Sequence, residues 1–190
     1  MANTKQNKKE EIKDVQPIRD LQQIEDMKWA LRRSSERDYI LFCLGINTGL
    51  RVSDLLQLKI KDVKGKRSFN VKEGKTKKPR KIKINGLYDE LNAYINTING
   101  SEWLFPSRKG DKAITRVAAY QALNRAADIA GVESVGTHTM RKTFGYWFYK
   151  QYKDVAALQN ILNHSKPAVT LRYIGITAEE IEAKLDGFQL

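Results

Sequence analysis

The apolar residues of this chain change period once, between Ser68 and Ile84, and that change constrains the fold class more than any other feature. Phe69 and Val71 alternate with polar residues, Glu73-Gly74-Lys75-Thr76 has the composition of a turn, and Ile82 and Ile84 alternate with Lys81 and Lys83. A period of two puts the apolar side chains on one face of a β-hairpin and the lysines on the other. Elsewhere the spacing is helical. Leu21, Ile24, Met27 and Leu31 recur at helical intervals, with Asp20 placed as N-cap. A second helix is predicted over 36–47, ending at Thr48-Gly49, and a short one over 52–58. Further helices are predicted at about 87–98, 115–130, 138–151, 155–163, 167–173 and 178–186, the last opened by a Thr177/Glu180 capping box. A short strand over 60–63 would complete the sheet. The expectation is an α+β fold, mainly helical, with one small antiparallel β-sheet.

The length of 190 residues suits one domain with a real core. Residues 1–16 are polar and charged and read as a disordered basic arm, leaving 17–190 as the folded unit. No apolar run has membrane-spanning length, and the N-terminus lacks the apolar stretch of a signal peptide. Cys43, the single cysteine, lies in the apolar run Tyr39-Ile40-Leu41-Phe42-Cys43-Leu44 and reads as a buried structural thiol. A cytoplasmic protein with no membrane contact is expected. Thirty-four Lys plus Arg against 22 Asp plus Glu give a net charge of +12, which suggests a polyanionic partner. The excess is local: residues 51–85 hold 13 basic and 3 acidic residues, whereas 174–190 are net acidic. Charge alone does not separate nucleic acid from anionic lipid.

Both histidines of the chain fall in its last third. His138 and Arg141 lie three apart and share a helix face, with Thr137 as N-cap, so that the positive helix end would favour phosphate and a neutral imidazole. His164 follows Asn163 and precedes a turn at Ser165-Lys166-Pro167, and Tyr173 lies in Leu171-Arg172-Tyr173-Ile174. Arg51 follows a tight turn in Thr48-Gly49-Leu50-Arg51-Val52-Ser53-Asp54. It could fork with Arg141 onto one phosphate, or simply pair with Asp54. Lys75 sits at the hairpin tip among Lys72, Lys77, Lys78 and Arg80, where phosphate contact is the default role. Taken singly, each position has an ordinary reading: a surface histidine, a solvated arginine, one of eight tyrosines in a core or at its rim.

Taken together, they resemble the catalytic domain of the tyrosine recombinase (phage integrase) family. The first arginine motif is matched by Arg51 with Asp54 at its acidic position, the hairpin lysine by Lys75, the HxxR box by His138 and Arg141, the second histidine by His164 and the nucleophile by Tyr173. These match in order over about residues 17–190. Asn163 replaces the family's usual glycine before the second histidine; asparagine tolerates the left-handed backbone such a turn needs. The N-terminal helical domain that completes a DNA clamp in many integrases is not expected within these 190 residues. The chain therefore reads as an excised catalytic domain or a compact single-domain recombinase.

The resemblance implies a site-specific recombinase acting on double-stranded DNA. Tyr173 would form a 3′-phosphotyrosyl intermediate. Arg51, Arg141 and His164 would stabilise the transition state, Lys75 would protonate the leaving 5′-oxygen, and His138 would act as acid or base toward the tyrosine or the phosphate. It also implies a monomer in solution, a homotetramer on DNA, and a C-terminal helix over 177–187, with its stripe Ile181, Leu185 and Phe188, exchanged between subunits. No cofactor or metal is called for: there is no Walker A loop, and two histidines with one cysteine make a poor metal site. A type IB topoisomerase-like nicking and closing enzyme, or a noncatalytic DNA-binding accessory module, are the alternatives.

Overall fold

The computed structural model describes residues 15–176. The hub is α2 (Glu36–Thr48), in which every residue from Asp38 to Gly45 is buried. A helix that is apolar on all sides belongs in the middle of a core, and α1 (Leu21–Ser34), α5 (Tyr88–Thr97), α6 (Arg116–Ala130) and α7 (Thr139–Tyr152) surround it. Cys43 sits inside this helix, its thiol pushed up to about 11 by burial, as suits a structural residue. Asp20 caps α1 by accepting from the Gln22 amide at 2.7 Å. Gly49 closes α2 with φ +63°, a conformation that costs side chains energy and glycine almost none.

Two short helices follow, α3 (Val52–Leu55) and α4 (Ile60–Val63). The second corrects the strand expected over 60–63. Asp62 accepts from the Lys59 amide at 3.0 Å and the Lys64 amide bonds to the Ile60 carbonyl at 2.9 Å, so this stretch turns helically. Ile60 and Val63 are three apart, a helical interval, and only Lys59 bridges to an extended neighbour, Trp103. The sheet among the described residues is therefore two-stranded: β1 (Ser68–Lys72) pairs antiparallel with β2 (Pro79–Lys83), Phe69 opposite Ile82 and Val71 opposite Arg80. Phe69, Val71 and Ile82 are buried; Asn70, Lys72, Lys81 and Lys83 face solvent.

Beyond α6, which Thr115 caps, α7 is followed by α8 (Val155–Leu162) and α9 (Pro167–Tyr173). A small cluster of Leu158, Leu162 and Ile174, flanked by Phe144, Tyr146, Phe148 and Tyr149, fastens α8 and α9 onto α7. The first turn of α7 differs from expectation. Thr137 does not cap it; His138 takes the cap position, and the nearby hydroxyl that accepts a backbone N–H is that of Thr139, from Gly136 at 2.8 Å. Of the arm expected over 1–16, residues 1–14 lie outside the described residues. Gln16 is held by its amide on the Ser134 carbonyl at 3.4 Å, and Val15 packs on Gly136. The helix expected over 178–186 also lies outside them. No helix among the described residues is long and apolar enough to cross a membrane.

Gly49→Ala forces a Cβ into left-handed backbone and against the Phe144 ring. The expected loss is at least about 1–2 kcal/mol of stability, read as a lower urea midpoint at unchanged slope.

Candidate active site

Glu73 follows β1 by one residue and continues its inward face after Phe69 and Val71, so its carboxylate points into the protein and is 0% exposed. A buried carboxylate requires partners, and this one gathers cations from three elements. Arg51, at the head of α3, donates from Nη1 to Oε2 at 2.5 Å. Arg80, on β2, and Arg141, on α7, bring Nη1 to 3.7 and 3.9 Å from Oε1. The Thr76 hydroxyl and Asn163 Nδ2 each donate to Oε2 at 3.2 Å. Burial alone would raise the carboxyl's pKa, but the Arg51 hydrogen bond and the charges of Arg141 and Arg51 hold it below the usual range, so it stays ionised.

Arg141 is fixed by main chain. Its Nη1 donates to the Gly49 carbonyl at 2.6 Å and its Nη2 to the Leu162 carbonyl at 2.7 Å. Both carbonyls lie at helix C-termini, those of α2 and α8, where unpaired acceptors and the helix dipole favour a cation. Burial and the nearby Arg51 push its guanidinium down to about 10, still charged at neutral pH. The C-terminus of α8 turns through Asn163 at φ +51°, the left-handed conformation expected there.

The Arg51–Asp54 pairing read from the sequence is present at long range, with Asp54 Oδ2 3.8 Å from Arg51 Nη1. The other Asp54 oxygen accepts from the Gly74 amide at 3.0 Å and so ties down the turn that carries Lys75. Lys75 lines a cleft of about 240 Å³ with Arg51, Val52, Ser53, Arg116, Thr137 and His138. Lys72, Lys77 and Lys78, its neighbours in the hairpin, are exposed. Arg80 is not among them, contrary to its grouping with the surface lysines. It lies across the ladder from Val71 and turns inward, donating from Nη2 to the Thr48 carbonyl at 2.5 Å.

Tyr173, the last residue of α9, brings its hydroxyl within 3.2 Å of His138 Nδ1. The His164 ring stands edge-on to the Tyr173 ring at 5.0 Å between centroids, and its Nδ1 lies 3.1 Å from the Thr170 hydroxyl. All six expected positions, Arg51, Lys75, His138, Arg141, His164 and Tyr173, therefore border one region. Burial pushes the pKa of both imidazoles down, and the charges of Arg141, Arg51 and Lys75 push them further. The neutral imidazole expected at 138 is thus favoured, by burial and neighbouring cations. Burial raises the Tyr173 phenol, against the pull of Arg141 and Arg51. A neutral phenol facing a neutral imidazole, with guanidiniums alongside, can pass a proton and receive an anion.

Two contributors were not anticipated. Glu73 has the sequence surroundings of a turn, and its place four residues after Phe69 on the inward strand face is the signal that it is buried. Arg116, at the start of α6, joins the cleft only through the fold. Glu73→Ala should cost about 3–5 kcal/mol, because it leaves buried cations uncompensated. Lys72→Ala on the exposed face should stay within about 0.5 kcal/mol of the parent. Denaturant titration of the two variants tests the contrast.

Comparison with known proteins agrees with this geometry. The family model described as "Phage integrase family" matches residues 19–180. The Bacillus subtilis (strain 168) protein named "Probable integrase/recombinase YoeC" is 49% identical over 170 residues, covering 89% of this chain and 94% of its own length. A tyrosine recombinase XerA from Thermococcus kodakarensis (strain ATCC BAA-918 / JCM 12380 / KOD1) is 36% identical over 152 residues; the match takes in 77% of this chain and 53% of that protein, so the chain spans about half of it. Among solved structures, the XerA recombinase superposes with a TM-score of 0.73 at 23% identity, over 90% of this chain and 65% of that one. The catalytic domain of bacteriophage HP1 integrase gives 0.62 at 21% identity, over 91% and 95%. The chain belongs to the phage integrase family of tyrosine recombinases and has the fold of their catalytic domain.

Proposed function

We propose that this chain cleaves and rejoins duplex DNA at specific sites with Tyr173 as nucleophile. The observation that carries the reading is the 3.2 Å contact between the Tyr173 hydroxyl and His138 Nδ1, beside the fixed guanidinium of Arg141. The phenolic oxygen attacks the scissile phosphorus in line and its proton passes to His138. A bond forms between that oxygen and phosphorus as the bond to the 5′-oxygen breaks. Lys75 supplies the proton the leaving oxygen needs. Arg51, Arg141 and His164 stabilise the charge that builds on the non-bridging oxygens. Attack by the 5′-hydroxyl of a partner strand reverses these steps and restores the phenol. The phosphotyrosyl bond conserves the phosphodiester energy, so no nucleotide is consumed.

Double-stranded DNA is the partner that the cationic cleft and the exposed Lys72, Lys77 and Lys78 support. A XerH recombinase has been solved on its palindromic difH substrate, and a lambda integrase as a dimer on a core site. The homotetramer on DNA that the family resemblance implies would place four copies of this chain on two paired sites.

Tyr173→Phe should bind a nicked suicide duplex as tightly as the parent and form no covalent adduct on a denaturing gel. Adduct formation by this variant would place the nucleophile elsewhere. Adduct formation by the parent should be level above about pH 7 and decline as pH falls below the ordinary histidine value of about 6.5. The sign follows from the depressed imidazoles, which stay proton acceptors until the solution is acidic enough to charge them. A rate that climbs on acidification would remove His138 as the base.

A further inference from the structure

Tyr173 sits on a small and peripheral helix. α9 has seven residues and packs chiefly on α8. Its C-terminus is closed by a Schellman arrangement: the Gly175 amide bonds to the Arg172 carbonyl at 3.1 Å and the Ile176 amide to the Leu171 carbonyl at 3.0 Å. Gly175 has the φ of +75° that this closure requires. Beneath it, Ile174 is 0% exposed in the α7–α8 groove.

One more contact reaches this closure, and it comes from the other end of the chain. Arg19 Nη2 donates to the Gly175 carbonyl at 2.8 Å, across 156 residues of sequence, with its guanidinium 5.4 Å from the Tyr146 ring centroid. The segment that carries Arg19 is itself anchored on α7. The Ile18 amide donates to the Thr143 hydroxyl at 2.9 Å, and Trp147 Nε1 donates to the Ile18 carbonyl at 3.0 Å. Thr143 is two residues from Arg141. The lead-in to α1 thus bears at once on the helix that holds the guanidinium and on the turn that ends the nucleophile's helix.

We propose that Arg19 is a positioning residue for Tyr173: it latches the carbonyl two residues past the nucleophile and keeps the phenol docked against His138. The proposal rests on Tyr173 being the nucleophile. Arg19 is exposed and makes its contact at the rim of the fold, so its removal leaves the core intact. With the latch gone, α9 keeps its Schellman closure and Ile174 but gains freedom to tilt, and small misplacements of a nucleophile are costly in rate.

The test is single-turnover adduct formation on a nicked suicide duplex at saturating DNA. Arg19→Ala should slow it about tenfold, the scale set by one charge-assisted hydrogen bond, with duplex affinity and melting temperature unchanged. Amide exchange at Ile176 should quicken in the same variant, and Arg19→Lys should recover part of the rate. Arg33→Ala, which removes an equal charge from α1, should match the parent. A loss smaller than threefold overturns the latch. So does an equal loss in Arg33→Ala, which would assign the effect to net charge, or a loss of affinity that accounts for the whole effect. A parent protein that forms no adduct would instead sink the nucleophile assignment, which separates the two failures.

Discussion

One buried carboxylate holds this site together. Glu73 is enclosed, ionised, and approached by guanidiniums from α3, β2 and α7. Bringing three like charges into one region is costly without a counter-ion, and Glu73 supplies it from the strand that leads into the turn bearing Lys75. The hairpin, the arginine turn after α2 and the start of α7 are thereby set relative to one another. Groups held in place before substrate arrives need little reorganisation when charge develops.

The surplus cations also set the protonation states. Burial disfavours charge on His138 and His164, and Arg141, Arg51 and Lys75 disfavour it further, while the same guanidiniums oppose the rise that burial imposes on the Tyr173 phenol. One field thus acts on both groups: it keeps the imidazole empty of a proton and offsets part of the rise that burial imposes on the phenol. Arg51, Arg80 and Arg141 share the Glu73 carboxylate, and Lys75 and Arg116 line the cleft beside Arg51 and His138, so the region keeps a surplus of positive charge.

The residues proposed to carry chemistry are legible because their types and order are distinctive: the 138/141 spacing, Arg51 after its glycine turn, His164 after Asn163, Tyr173 in its own short helix. The residues that hold them in place are less so. Glu73 lay in a stretch of turn composition, and only strand parity with Phe69 and Val71 marks it as buried. Arg80 was grouped with its lysine neighbours by charge, though parity with Ile82 turns it inward. The stretch 60–63 is too short for its period to decide between strand and helix, though its apolar pair is spaced for a helix. The carbonyls of Gly49 and Leu162 leave no mark in sequence at all, since every residue has a carbonyl.

That last point bears on how such a chain can vary. Arg141 is gripped by peptide oxygens at the ends of two helices, so most replacements of the side chains around it leave its acceptors in place. The grip depends on where α2 and α8 stop, and those stops rest on two left-handed residues, Gly49 and Asn163.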